Sequence, residues 1–161
     1  MEHRGIRQRI KQRKQFASPE QEAILAVRMV AARILGPWER FLKAEADLTT
    51  SQYNVLRILR GSHPGALTAG EIGERTIARD PDITRLVDRL DARGLVKRTR
   101  SDEDRRVVEV KITGKGLELL RALDPHSQRM PRAIVGHVAP PKLRQLAKLL
   151  DEVLEGMGTY P

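Results

Sequence analysis

Ile83-Thr84-Arg85-Leu86-Val87-Asp88-Arg89-Leu90-Asp91-Ala92-Arg93-Gly94-Leu95-Val96 is the run from which the fold can be read. Ile83, Leu86, Val87 and Leu90 recur at i, i+3, i+4 and i+7, which aligns them in one apolar stripe of an α-helix. Asp82, Arg85, Arg89 and Arg93 fall on the opposite side, with Thr84 and Asp88 flanking them. Gly94 follows the last periodic residue and suits the left-handed stop of a helix. The helix therefore has one face for a core and one face of hydroxyls, carboxylates and guanidiniums.

Downstream of this helix the period changes. Val108, Val110 and Ile112 alternate with Glu109 and Lys111, the spacing of a strand with one buried face. Val96–Arg100 is the expected partner strand, and residues 101–106 (Ser-Asp-Glu-Asp-Arg-Arg) form the connecting tip. Upstream, Thr68-Ala69-Gly70-Glu71 has the spacing of a capping box and opens a short helix through Arg75. Asp80-Pro81 is then the expected opening of the Ile83 helix. Two short helices with a brief connection, followed by a two-stranded hairpin, is the order of a winged helix-turn-helix. In that arrangement the exposed face of the second helix can bond base edges and phosphates. Arginines at a hairpin tip can enter a narrow minor groove, where the negative potential is enhanced. Taken singly, a charged helix face and a charged hairpin tip are ordinary solvated surface; their succession points to duplex DNA.

The flanking segments are helical. Ser18-Pro19-Glu20-Gln21 is a start signal, with serine capping Gln21, proline at the first helical position and Gln21 able to reach back. Ile24, Val27, Ala31, Ile34/Leu35, Trp38 and Leu42 continue at helical spacing, so Gly36-Pro37 is expected to kink this helix without ending it. Thr49-Thr50-Ser51-Gln52 opens another helix carrying Tyr53, Val55, Leu56, Ile58 and Leu59, and Gly61-Ser62-His63-Pro64-Gly65 breaks the chain. After Thr113, Leu117, Leu120 and Leu123 mark a helix that Pro125 and Pro131 should interrupt or kink. Pro140-Pro141 opens a last helix with Leu143, Leu146, Leu150 and Val153 on one side. The fold class expected is mainly α with a small β-hairpin. Its parts are a basic arm (1–17), an N-terminal helix (18–48), a winged helix-turn-helix (49–113) and C-terminal helices (114–161).

Composition narrows the function. The 161 residues carry a formal charge of +9, which favours an anionic partner. Within residues 1–17 six cations (Arg4, Arg7, Arg9, Lys11, Arg13 and Lys14) face one acid, Glu2. Such an arm either touches phosphates or is a solvated tail. The absence of cysteine excludes disulfides and thiolate metal sites. The four histidines are scattered, and no metal site or cofactor is expected. No apolar run approaches a membrane span, and no secretory segment follows the charged start, so a cytoplasmic protein is expected. No nucleophile elbow, zinc-binding His pair or phosphate-binding glycine loop is present, and Gly114-Lys115-Gly116 lacks the spacing of the last. Catalysis is not expected. The rival reading is a winged helix that binds a partner protein without specific DNA binding.

Ile83–Leu90, then Arg93-Gly94-Leu95-Val96, Asp104-Arg105-Arg106 and Ile112-Thr113 with Gly116 closely resemble the MarR family of bacterial and archaeal regulators. The motif match spans about residues 67–123, and the outer helices fit the family layout. The resemblance implies a transcriptional regulator, most simply a repressor, acting as a homodimer on a pseudo-palindromic operator. The N- and C-terminal helices would form the dimer interface. Asp82, Thr84, Arg85 and Arg89 would lie in the recognition helix, with Thr84 and Arg85 meeting base edges or adjacent phosphates. In the wing, Arg106 would enter the minor groove braced by Asp104, beside Arg105 and Arg100. A small-molecule effector seated between dimer helices and winged lobes would release DNA; Trp38, Leu42 and Tyr53 either line such a crevice or belong to the dimer core. Two departures stand out. Ile77 occupies a turn position where glycine is common, and the recognition helix begins Arg79-Asp80-Pro81-Asp82, with acids that must either accept from a cytosine N4 or pair with an arginine, as Asp82 could with Arg85.

Overall fold

The computed structural model describes residues 5–77, 82–100 and 107–157. They divide into two compact units, residues 1–120 and 121–161. In the first, a short α1 (Ile6–Arg9) precedes the long α2 (Pro19–Ala46). Ser18 caps α2 by accepting from the Gln21 amide at 3.3 Å, and the Gln21 side chain accepts in turn from the Ala17 amide. The helix runs through Pro37, because Trp38, Leu42 and Ala46 beyond it are buried and the proline removes only one backbone bond.

Next come α3 (Thr50–Ser62), β1 (Leu67–Thr68), α4 (Ala69–Glu74) and α5 (Ile83–Ala92). The helix starts read at Thr49 and Thr68 both close as capping boxes. Thr49 accepts from the Gln52 amide and Gln52 from the Thr49 amide, which explains how Gln52 can be buried. Thr68 and Glu71 repeat the exchange at the start of α4. The start of α5 differs from expectation. Asp82 is its N-cap, accepting from the Arg85 amide at 3.2 Å, so the first helical residue is Ile83. Asp80-Pro81, assigned that opening from the sequence, lies outside the described residues. A carboxylate three residues before the amide it accepts from is the stronger local signal.

β2 (Val96–Arg100) and β3 (Val108–Ile112) pair antiparallel, from Val96 opposite Ile112 to Arg100 opposite Val108. The sheet has a third strand that the sequence did not reveal. Leu67 and Thr68 pair with Val110 and Glu109, giving the order β1-β3-β2. Two residues are too few to show a period, and Thr68 serves both this strand and the α4 cap. β3 is thus central, with Val110 and Ile112 buried, and β2 is the longer of the two edge strands, Val96 being its one buried residue. Leu42, Val55, Leu56, Leu59, Ile72, Val87, Leu90, Leu95 and Leu120 join them in the core.

Gly94 adopts φ +67°, the left-handed stop expected after α5. Gly116 is required for a different reason. A Cβ there would stand 2.3 Å from the Leu95 carbonyl oxygen and 2.7 Å from Ile112 Cγ1. The start of α6 (Gly114–Val135) therefore rests directly on the turn between α5 and β2. Of the two outcomes expected at Pro125 and Pro131, interruption or a kink, interruption does not occur: α6 runs through both, each proline removing a single ladder bond. In the second unit α7 (Pro140–Gly156) buries none of its residues.

Candidate nucleic-acid interface

The candidate surface is the outer side of α5 together with the edge strand β2. The apolar stripe of α5 is buried as its spacing requires, with Ile83, Leu86, Val87 and Leu90 all inward. Thr84, Arg85, Asp88 and Arg89 are exposed. Burial of the stripe against α3, α4 and β2 orients the outward face; at about 1.5–3 kcal/mol per large apolar side chain, the helix cannot readily rotate about its axis.

Two ion pairs organise the acids on this face. Asp82 Oδ2 lies 3.2 Å from Arg85 Nε, the pairing expected from their spacing, while Oδ1 accepts from the Arg85 backbone. The Arg85 side chain keeps 77% of its exposure, so the pair neutralises the acid without withdrawing the guanidinium. Asp88 pairs with Arg98 of β2. That contact was not foreseen, since Asp88 and Arg98 lie on different elements and share no helical spacing; it ties the helix to the wing strand. Lys97, Arg98, Thr99 and Arg100 are all exposed along β2, leading toward the tip. Asp104, Arg105 and Arg106 lie outside the described residues.

One assignment to the outer face is corrected. Arg93 follows Arg89 by four residues, yet its guanidinium turns away. It donates from Nη1 to the Asp47 carbonyl and from Nη2 to the Ala46 carbonyl, both at 2.7 Å. A long side chain at a helix end can leave the face its Cα occupies, which periodicity alone does not reveal. Before α5, Ile77 is 93% exposed, so the apolar residue at the glycine-favoured position is not part of the core among the described residues.

Away from this surface, Trp38, Leu42 and Tyr53 come together. Trp38 and Tyr53 meet edge to face at 5.1 Å, Trp38 stacks on Phe41 at 5.4 Å, and Leu42 is fully buried. The Tyr53 hydroxyl is buried with no hydrogen-bond partner among the described residues. Among the described residues there is no group of three or more potential metal ligands, and no helix is long and apolar enough to cross a membrane.

A helix-turn-helix whose second helix is backed by a three-stranded sheet with a free, basic edge defines a winged helix-turn-helix protein. A family model described as MarR family matches residues 46–107, which span α3 to the foot of β3. A MarR transcription factor from Planctomyces limnophilus is 41% identical, over 85% of this chain and 98% of that one, with a TM-score of 0.64. The HTH-type transcriptional repressor IacR of Pseudomonas putida is 30% identical over 75% of this chain and 71% of its own length. The chain spans 60% to 71% of the length of the first curated relatives it matches. The DNA complex of Sco3205, a MarR family regulator from Streptomyces coelicolor, shares the fold over 90% of this chain and 96% of that one, with a TM-score of 0.78 at 24% identity. This chain belongs to the MarR family of transcriptional regulators.

Proposed function

We propose that the protein is a repressor that binds a pseudo-palindromic operator duplex as a homodimer and leaves it when a small molecule binds. The observation that carries this reading is the outward face of α5. Thr84, Arg85 and Arg89 stand free of the core beside an edge strand bearing Lys97, Arg98 and Arg100. A helix of this kind fits the major groove, roughly 12 Å wide, and the Asp104-Arg105-Arg106 tip would reach the flanking minor groove. Asp82, paired with Arg85, would orient that guanidinium toward the bases.

Dimerisation is supported by apolar side chains left uncovered at helical spacing. On α2 these are Ile24, Val27, Val30 and Leu35; on α7 they are Leu146, Leu149, Leu150, Val153 and Leu154. Covering them with a second copy would hold two lobes about 34–36 Å apart, one helical turn of DNA. The repressor assignment takes support from the IacR relative. An effector near Trp38, Leu42 and Tyr53 would find one buried hydroxyl in need of a partner, and would release DNA by binding the two states unequally.

Selection of bound fragments from a random duplex pool tests the proposal. The expected product is an inverted repeat with half-site centres one helical turn apart, bound with a steep salt dependence of roughly −0.9 per phosphate contact. Negligible affinity for every duplex at low salt would instead favour a winged helix that binds protein.

A further inference from the structure

We infer that Arg93 is a positioning residue that carries the orientation of α2 to the recognition helix and does not itself touch DNA. This rests on the operator reading above, in which the outer helices set the spacing of the lobes.

Arg93 is the C-cap of α5, while Ala46 and Asp47 close α2. The last carbonyls of a helix have no intrahelical partners. In α2 two of them are met by one planar guanidinium, with both bonds at 2.7 Å. A delocalised cation also complements the negative end of the helix dipole. Lys43 of α2 pairs with the Asp47 side chain, leaving the Asp47 carbonyl to Arg93.

The same end of α5 is fastened on its other side. Lys115 Nζ donates to the Arg93 carbonyl at 2.8 Å. Thr113 Oγ1 lies 2.8 Å from the Gly94 carbonyl and 3.1 Å from that of Leu95. The end of the recognition helix is thus held between the end of α2, through Arg93, and the start of α6. A displacement of α2 along or across its axis moves two carbonyl oxygens bonded to α5. Without the fork, α5 retains its apolar packing but loses the angular constraint, so each lobe can pivot relative to α2.

The test uses the full chain and the inverted repeat selected by the native protein. Half-site spacing is varied by one and two base pairs in either direction, with a scrambled duplex as reference. Arg93→Gln removes the cation; Arg93→Lys keeps the charge but not the fork, and carries the test should Arg93→Gln fail to fold. Several-fold weaker binding to the native spacing is expected, with little loss on altered spacings, so discrimination between spacings collapses. Affinity for the scrambled duplex and the salt slope should not change. A slope shallower by about 0.9, with equal loss on every duplex, would make Arg93 a phosphate contact and overturn the inference. Unaltered spacing discrimination with only a lowered melting temperature would overturn it equally, leaving a brace. A readout free of DNA separates this inference from the operator reading. The chain has no cysteine, so Arg33→Cys on α2 and Asp91→Cys on α5 place one pair of spin labels in each copy, and mixing with excess unlabelled chain isolates the distance within one copy. The distance distribution between them should broaden in Arg93→Gln, even if no operator is found; an unchanged distribution would refute the inference directly.

Discussion

At the residue scale, the sharpest constraint is steric. Gly116 faces the Leu95 carbonyl oxygen and Ile112 so closely that no side chain fits without moving backbone. The Leu95 oxygen cannot retreat freely, because it also accepts from the Thr113 amide at 3.1 Å. Gly116→Ala should therefore destabilise the protein by about 1–3 kcal/mol, read as a lower urea midpoint. An unchanged midpoint would mean that α6 starts elsewhere. The two arginines proposed to meet DNA should respond differently from each other. Arg85→Ala should relax base preference at one position, losing about 1–3 kcal/mol of discrimination, since a bidentate contact to guanine is the expected use of an exposed guanidinium there. Uniform loss over all sequences would reduce Arg85 to a phosphate contact. Arg106→Ala should weaken binding to all duplexes more than it changes preference among them, as titration against operator and scrambled DNA would show.

At the scale of elements, the caps set where helices start. Glu71 accepts from the Thr68 amide and hydroxyl at 2.7 and 2.9 Å. The Thr68 backbone bond, followed by its hydroxyl, holds the Glu71 carboxyl below the usual carboxylate range. A depressed carboxyl stabilises the fold above its unfolded-state pKa, and that contribution is lost as pH falls through the folded value. The stability difference between the native chain and Glu71→Ala should therefore be full at neutral pH and narrow below the ordinary carboxylate range. Denaturant titrations at a series of pH values measure it; a gap independent of pH would rule out the charge as its source. The Asp88–Arg98 pair acts between elements, joining the recognition helix to the wing strand.

At the scale of the whole molecule, the uncovered leucines and valines of α7 point to association. Leu150→Glu or Val153→Glu should shift the protein toward monomer in sedimentation at micromolar concentration and weaken operator binding with it. A variant that stays dimeric would remove α7 from the interface. The +9 charge has its effect at this scale too, steering the protein to an anionic duplex in a salt-dependent way while specifying no base.

The amino-acid sequence alone determined what depends on neighbours a few residues apart. The α5 stripe, the Thr49 and Thr68 capping boxes, the alternation of β3 and the Gly94 stop all lie within one or two turns of chain, where spacing dictates geometry. The outward positions of Thr84, Arg85 and Arg89 follow from that same period. What only the tertiary structure decided involves groups that meet across long stretches of chain. β1 exists because β3 offers it an edge, and Asp88 meets a β2 arginine that no helical period predicts. Arg93 finds carbonyls 46 and 47 residues earlier, although its period assigned it to the DNA side. A flexible cation goes to whichever acceptors the fold brings within reach, and backbone carbonyls at a helix end have no signature in side-chain sequence.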